Sequence, residues 1–141
     1  MKLLVTVGST SFDLLIKKIV ENIHILQKKF TKIFIQTGET NEKFNKIENV
    51  TIINYKYPLP IDIYDVILTH GGTGTILESL FANKSTFVII NENLKHNHQS
   101  DFVKRMEAYI HIVSLQNVIE MLIQDNLVPK KKLHPSKEIL F

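Results

Sequence analysis

Short runs of β-branched residues alternate along this chain with stretches whose apolar positions recur every three or four residues. That alternation is the pattern of βα units wound around a parallel sheet. Leu3 to Val7 reads as the first strand and stops abruptly at Gly8-Ser9-Thr10-Ser11. A helix follows from near Phe12, with Ser11 placed to act as N-cap and Asp13 in the first turn, where the positive end of the helix dipole favours it. Its apolar face is Leu14, Leu15, Ile19, Ile23 and Leu26, which leaves Lys17, Lys18, Glu21 and Lys28 to solvent.

Lys32 to Gln36 is a second strand, and Glu39 to Asn49 carries no strong period and reads as a loop. Val50 to Asn54 is a third strand, and Pro58 and Pro60 exclude both helix and central strand from the segment that follows. Val66 to Thr69 is apolar enough on both faces to be a buried parallel strand, and a helix from Ile76 to about Asn83 comes after it. A fifth strand (Thr86 to Ile90), a helix (His98 to Ala108), a short sixth strand (Ile110 to Val113) and a last helix (Asn117 to about Gln124) complete the pattern. The expected fold class is α/β, a single Rossmann-like domain over residues 1–125 with a mainly parallel sheet flanked by helices. Residues 126–141, with two prolines and three consecutive lysines, read as an arm that could dock on a partner.

Composition narrows the function. The 141 residues are 44% hydrophobic, enough for one core, and contain no cysteine, which excludes disulfides, thiolate metal sites and a thiol nucleophile. A cysteine-free chain suits the cytoplasm. The net charge of +3 is matched by the Lys130 to Lys132 run, and no basic stripe interleaved with aromatics suggests a nucleic-acid partner. Neither a signal-peptide pattern nor an apolar stretch long enough to span a bilayer is present, so the expectation is no direct membrane span.

The candidate chemistry lies in the loops after the strands, where helix N-termini offer unpaired N–H groups to anions. Gly8-Ser9-Thr10-Ser11 is one such loop, and Gly71-Gly72-Thr73-Gly74-Thr75, preceded by His70, is the sharper one. Three glycines in four residues remove β-carbons and let backbone amides approach an oxyanion, although a tight corner would use glycines too. Glu78 follows Gly74 by four residues, one helical turn, and its carboxylate suits ribose hydroxyls better than phosphate. A third cluster, Asn91 to Gln99, is dense in side chains that both donate and accept, as a sugar requires. Its two histidines at i, i+2 do not have metal-ligand spacing, so no metal and no cofactor is expected. His24, His111 and His134 stand isolated and read as structural or solvated.

His70-Gly71-Gly72-Thr73-Gly74-Thr75-Ile76-Leu77-Glu78 resembles the His-x-Gly-x-x-Ser-x-x-Glu donor signature of glycosyltransferases built from two facing Rossmann domains, the GT-B fold, and His98-Gln99 resembles the family's later polar-Gln pair. Thr75 stands where Ser is usual, which keeps the hydroxyl, and Gly72-Thr73 where Ala-Gly is more usual. Together with the opening Thr6 to Ile16, these motifs are similar to the Alg13-like, family 28 type subunits of UDP-N-acetylglucosamine transferases.

The resemblance implies the nucleotide-sugar-binding, C-terminal half of such an enzyme. It also implies roles. His70, Gly71 and the amides of Gly72, Thr73, Gly74 and Thr75 would hold the diphosphate, with Gly8, Ser9 and Thr10 opposite. Glu78 would bind the ribose, backbone near Tyr57 would read uracil, and Asn97, His98 and Gln99 would contact the sugar. The implied reaction is inverting transfer of a second GlcNAc from UDP-GlcNAc to a dolichol-diphosphate-GlcNAc acceptor, with His70 as a possible leaving-group stabiliser. The catalytic base is expected on a membrane-anchored Alg14-like subunit that recruits this chain from the cytoplasm to the cytosolic face of the endoplasmic reticulum. The donor half of a split bacterial capsule transferase and a non-catalytic nucleotide-sugar-binding module stay open as alternatives.

Overall fold

The computed structural model describes residues 1–7, 12–70, 72–90 and 98–124, the side chains of 98–100 excepted. Strands β1 (Lys2–Thr6), β2 (Lys32–Gln36), β3 (Val50–Ile53), β4 (Val66–His70), β5 (Ser85–Ile89) and β6 (His111–Val113) form one sheet. Helices α1 (Asp13–Glu21), α2 (Ile23–Gln27), α3 (Thr73–Phe81), α4 (His98–Arg105) and α5 (Val118–Ile123) flank it. The strand order is β3-β2-β1-β4-β5-β6 and every neighbouring pair is parallel. Sequence and structure agree on a Rossmann-like α/β domain, and the sheet is wholly parallel among the described residues.

Alternation along the strands sorts the core into two faces. Leu3, Val5, Ile33, Ile35, Leu68 and Phe87 point to one face, against Leu15, Ile16 and Ile19 of α1, Ile23 and Leu26 of α2, and Val118 and Leu122 of α5. On the other face, Val88 packs with Ile76 and Leu80 of α3 and Val103 of α4. Leu4, Phe34 and Ile67 of that same face have no helix over them; a single 3₁₀ turn, Ile61–Ile63, and Tyr64 cover them. The Tyr64 ring meets Phe34 with centroids 5.9 Å apart.

Several local expectations change. The first helix starts at Asp13 with Phe12 at the cap position and no side-chain cap bond, and Ser11 lies outside the described residues. It also breaks at Asn22, whose side-chain amide donates to the Lys18 carbonyl at 2.8 Å, a local bond that competes with helix continuation. Leu14 is 58% exposed, and Ile16 takes its place on the sheet-facing stripe. Lys18 is not left to solvent: its ammonium donates to the carbonyls of Leu115 and Gln116, tying α1 to the β6–α5 turn. Lys17 does stay at the surface, paired with Glu42 at 2.9 Å. The fourth helix ends at Arg105 rather than Ala108, because the chain tightens into turns with Glu107 N–H on Lys104 O and Tyr109 N–H on Met106 O. His111 is half-buried and stacks on Phe87 at 4.6 Å, whereas His24 is exposed. His134 and the arm 126–141 lie outside the described residues.

The burial contrast sets a test. Leu68 is fully buried in the middle of the central strand, so Leu68→Ala is expected to cost about 2–5 kcal/mol of unfolding free energy. Leu14→Ala should stay within about 0.5 kcal/mol. Urea titration of both variants measures the difference, and equal losses would contradict this assignment of the helix face.

Candidate functional site

In this strand order the chain turns one way from β1 to β2 and β3 and the other way from β4 to β5 and β6. The connections therefore diverge at the carboxyl ends of β1 and β4, leaving a crevice there, the usual ligand position in an open α/β sheet. In sequence, residues 8–11, outside the described residues, come after β1, and Gly72, the N-cap of α3, comes two residues after β4 ends.

The side chains facing the α3 side change character as the strands approach this edge. Leu4, Phe34 and Ile67 are followed, two residues on, by Thr6, Gln36 and Thr69, all buried and in register across β2, β1 and β4. This polar row underlies the crevice. The Gln36 side-chain amide donates to Thr6 Oγ1 at 2.9 Å, and its carbonyl oxygen accepts the Lys56 backbone N–H at 2.8 Å. The segment after β3 is held further by Gly38 N–H on Asn54 O at 2.9 Å and Thr37 N–H on Ile53 O at 2.8 Å.

Helix α3 begins at Thr73, three residues earlier than the sequence suggests, with Gly72 as its N-cap. Thr73, Gly74 and Thr75 are thus the first helical turn instead of a loop, and the N–H groups of a first turn have no partner within their own helix. Neither Gly72 nor Gly74 is in the left-handed backbone region. A β-carbon on Gly72 would make ordinary contact, 3.4 Å from the His70 ring, and one on Gly74 would meet nothing within 4 Å. The tight-corner reading thus does not account for these two glycines; what they leave is open space at the mouth of α3.

A cleft of about 300 Å³ lies against that mouth, lined by Gln36, Tyr55, Lys56, Tyr57, Leu59, Gly74, Thr75 and Glu78. It brings together four of the expected residues: Tyr57 from one wall and Gly74, Thr75 and Glu78 from the other. Tyr57 is 82% exposed and Glu78 is exposed as well. His70 ends β4 opposite Ile89 and is only 7% exposed. Burial lowers its pKa below the ordinary histidine value and favours the neutral imidazole in the free protein.

His98 and Gln99 open α4, and their side chains lie outside the described residues. Gly8, Ser9, Thr10, Gly71 and Asn97 lie outside them entirely. Among the described residues no group of three His, Asp or Glu side chains is gathered to hold a metal ion. Nor is any described helix long and apolar enough to cross a membrane. Gln36, Tyr55, Lys56 and Leu59 line the cleft without having been singled out from the sequence. The available signal was a glutamine closing an otherwise apolar strand, two threonines at matching strand ends and a pair of tyrosines flanking a lysine.

Residues 2–138 match the glycosyltransferase family 28 C-terminal domain. The chain is 36% identical over 119 residues to the human UDP-N-acetylglucosamine transferase subunit ALG13 and 34% identical over 117 residues to its mouse counterpart. Each match covers 77% of this chain and 10% of the relative. The subunit of the same name from Yarrowia lipolytica is 29% identical over 125 residues, 80% of this chain and 64% of that protein. This chain thus spans a tenth of its mammalian relatives.

Among solved structures, the solution structure of ALG13 superposes with a TM-score of 0.64 at 21% identity, covering 94% of this chain and 90% of the other. The glycosyltransferase SnogD from Streptomyces nogalater superposes at 0.58 with 18% identity, over 89% of this chain and 35% of its own. These two share the fold. With the match running through nearly the whole sequence, the chain belongs to the family of glycosyltransferase family 28 C-terminal domains.

Proposed function

We propose that this chain is the UDP-GlcNAc-binding subunit of a heteromeric, inverting N-acetylglucosaminyltransferase that adds the second GlcNAc to dolichol-diphosphate-GlcNAc. The observation that carries the reading is the cleft itself: the N-terminal turn of a helix, left open at Gly72 and Gly74, with a carboxylate one turn along the same helix and a tyrosine-bearing segment opposite. That combination suits a nucleoside diphosphate. The amides of Thr73 to Thr75 and the dipole of α3 favour a diphosphate, the Gly72 N–H being given instead to the His70 carbonyl at 2.6 Å, with Gly8, Ser9 and Thr10 and residue Gly71 completing the cradle. Glu78, one turn along the same helix, accepts hydrogen bonds from the ribose hydroxyls. Backbone near Tyr57 meets the uracil edge. Asn97, His98 and Gln99, beyond β5, contact the sugar.

In the reaction the acceptor hydroxyl oxygen bonds to the anomeric carbon from the side opposite UDP, and the bond from that carbon to the β-phosphate oxygen breaks. The hydroxyl proton passes to a base on the partner subunit. Negative charge grows on the departing diphosphate, where the α3 amides and dipole stabilise it. His70 is neutral in the free protein, and the arriving diphosphate raises its pKa by Coulomb attraction, so that it can carry a proton when the leaving group needs it. The partner is a membrane-anchored, Alg14-like subunit that holds this chain at the cytosolic face of the endoplasmic reticulum, with the arm 126–141 as the docking element. The names of the ALG13 relatives favour this pathway over a bacterial capsule transferase.

Glu78→Ala should weaken UDP binding about tenfold in calorimetry, the worth of a hydrogen bond to a charged group, with the melting curve unchanged because Glu78 is exposed. Unaltered affinity would remove Glu78 from the ribose site. The His70 role predicts that binding of UDP-GlcNAc, whose diphosphate does not itself titrate near neutrality, takes up protons at pH 6–6.5. Affinity should then rise as pH falls, and the uptake, read from calorimetry in buffers of different ionisation heat, should shrink in His70→Gln. In the free protein the sign is opposite: the unfolded chain binds the proton more readily, so this group lowers stability as pH drops below about 6.5. Finally, the purified chain alone should transfer little sugar, and co-expression with an Alg14-like subunit should restore transfer to a lipid-diphosphate acceptor. Full activity from the isolated chain would reject the half-enzyme assignment.

A further inference from the structure

Gln36 is the last residue of β2 and borders the cleft, yet it is only 1% exposed. Both ends of its side-chain amide are nonetheless engaged across the crevice. Its Nε2 donates to Thr6 Oγ1 on β1, two residues before the loop 8–11, and its Oε1 accepts the backbone N–H of Lys56 in the cleft wall. Its backbone carbonyl accepts the N–H of Val7 at 3.3 Å. One buried side chain thus joins the strand that leads into the first loop to the segment between Tyr55 and Tyr57, whose own side chains stand out in solvent. The apolar anchors Phe34 and Leu4 lie two residues below and offer no polar contact to that segment.

We propose that Gln36 is a positioning residue that locks the Tyr55–Tyr57 segment to the end of β1 and so sets the nucleobase preference of the cleft. The inference rests on the donor-site reading above. Base recognition by backbone needs donors and acceptors held within the narrow 2.7–3.2 Å range of a hydrogen bond, so a wall that drifts loses discrimination before it loses phosphate affinity. In the donor-site reading the α3 side of the diphosphate cradle lies on the other wall, away from Gln36, and a disturbance passed through Thr6 to residues 8–10 would weaken UDP and ADP alike, so the ratio of the two isolates the base.

The test compares UDP with ADP by calorimetry on the full chain. The wild-type chain is expected to prefer UDP. Gln36→Met keeps the volume and removes both amide bonds, and the UDP-to-ADP affinity ratio should fall at least tenfold while ADP affinity changes less than threefold. Gln36→Glu should recover most of the ratio at mildly acidic pH, where a buried protonated carboxyl donates to Thr6 and accepts from Lys56 as the amide does. Should Gln36→Met lack a cooperative melt, Thr6→Val, which removes the amide's partner with little change of shape, is expected to lower the ratio about threefold. A wild-type preference that survives in the folded variant overturns the role of Gln36 alone. A wild type with no preference for UDP overturns the donor-site reading and this inference with it.

Discussion

The pairing of β1 with both β2 and β4 is the constraint on which the rest of the structure depends. Parallel neighbours cannot be joined by tight turns, so each connection must cross a face of the sheet, and chains leaving β1 and β4 must cross on opposite sides. The two connections thus part at the carboxyl ends of these strands. At that gap lie the start of α3 and, from the flank, the segment after β3.

A gap between strand ends is useful only if polar groups can be kept there without cost. Thr6, Gln36 and Thr69 are buried at the sheet edge, where unpaired polar atoms would each cost about 1–3 kcal/mol. The Gln36 amide meets that demand by bonding in two directions, to Thr6 and to the Lys56 backbone. A bond required by burial therefore also fixes the cleft wall. On the opposite wall Gly74 leaves space where any other residue would stand, so the first turn of α3 presents its backbone beside the Thr75 and Glu78 side chains.

Much of this was legible in the residues. The six strands and the order of helices follow from alternating β-branched and helical periods, with strand ends shifted by a residue or two and helix ends by up to three. Candidate chemistry at His70 to Glu78 follows from a glycine-rich stretch with a carboxylate one turn later. Other features were not legible. The break at Asn22 depends on a side-chain bond to Lys18 O, the exposure of Leu14 on where the helix starts, and the engagement of Lys18 on a turn almost a hundred residues away. Extending the apolar face to Leu14 failed because periodicity measures spacing and not the phase at which a helix meets its sheet.

The sequence by itself determined the class of fold and the place of the phosphate-facing turn, because both are written in local preferences: strand and helix periods, glycine and proline. Only the tertiary structure decided which loop faces that turn. Tyr57 and Glu78 are 21 residues apart and share no motif; the crossing of the 54–65 segment over β2 and β1 brings them to one cleft. The same holds for the charge on His70. Its identity is local, but its protonation depends on burial, and burial is a property of the assembled sheet.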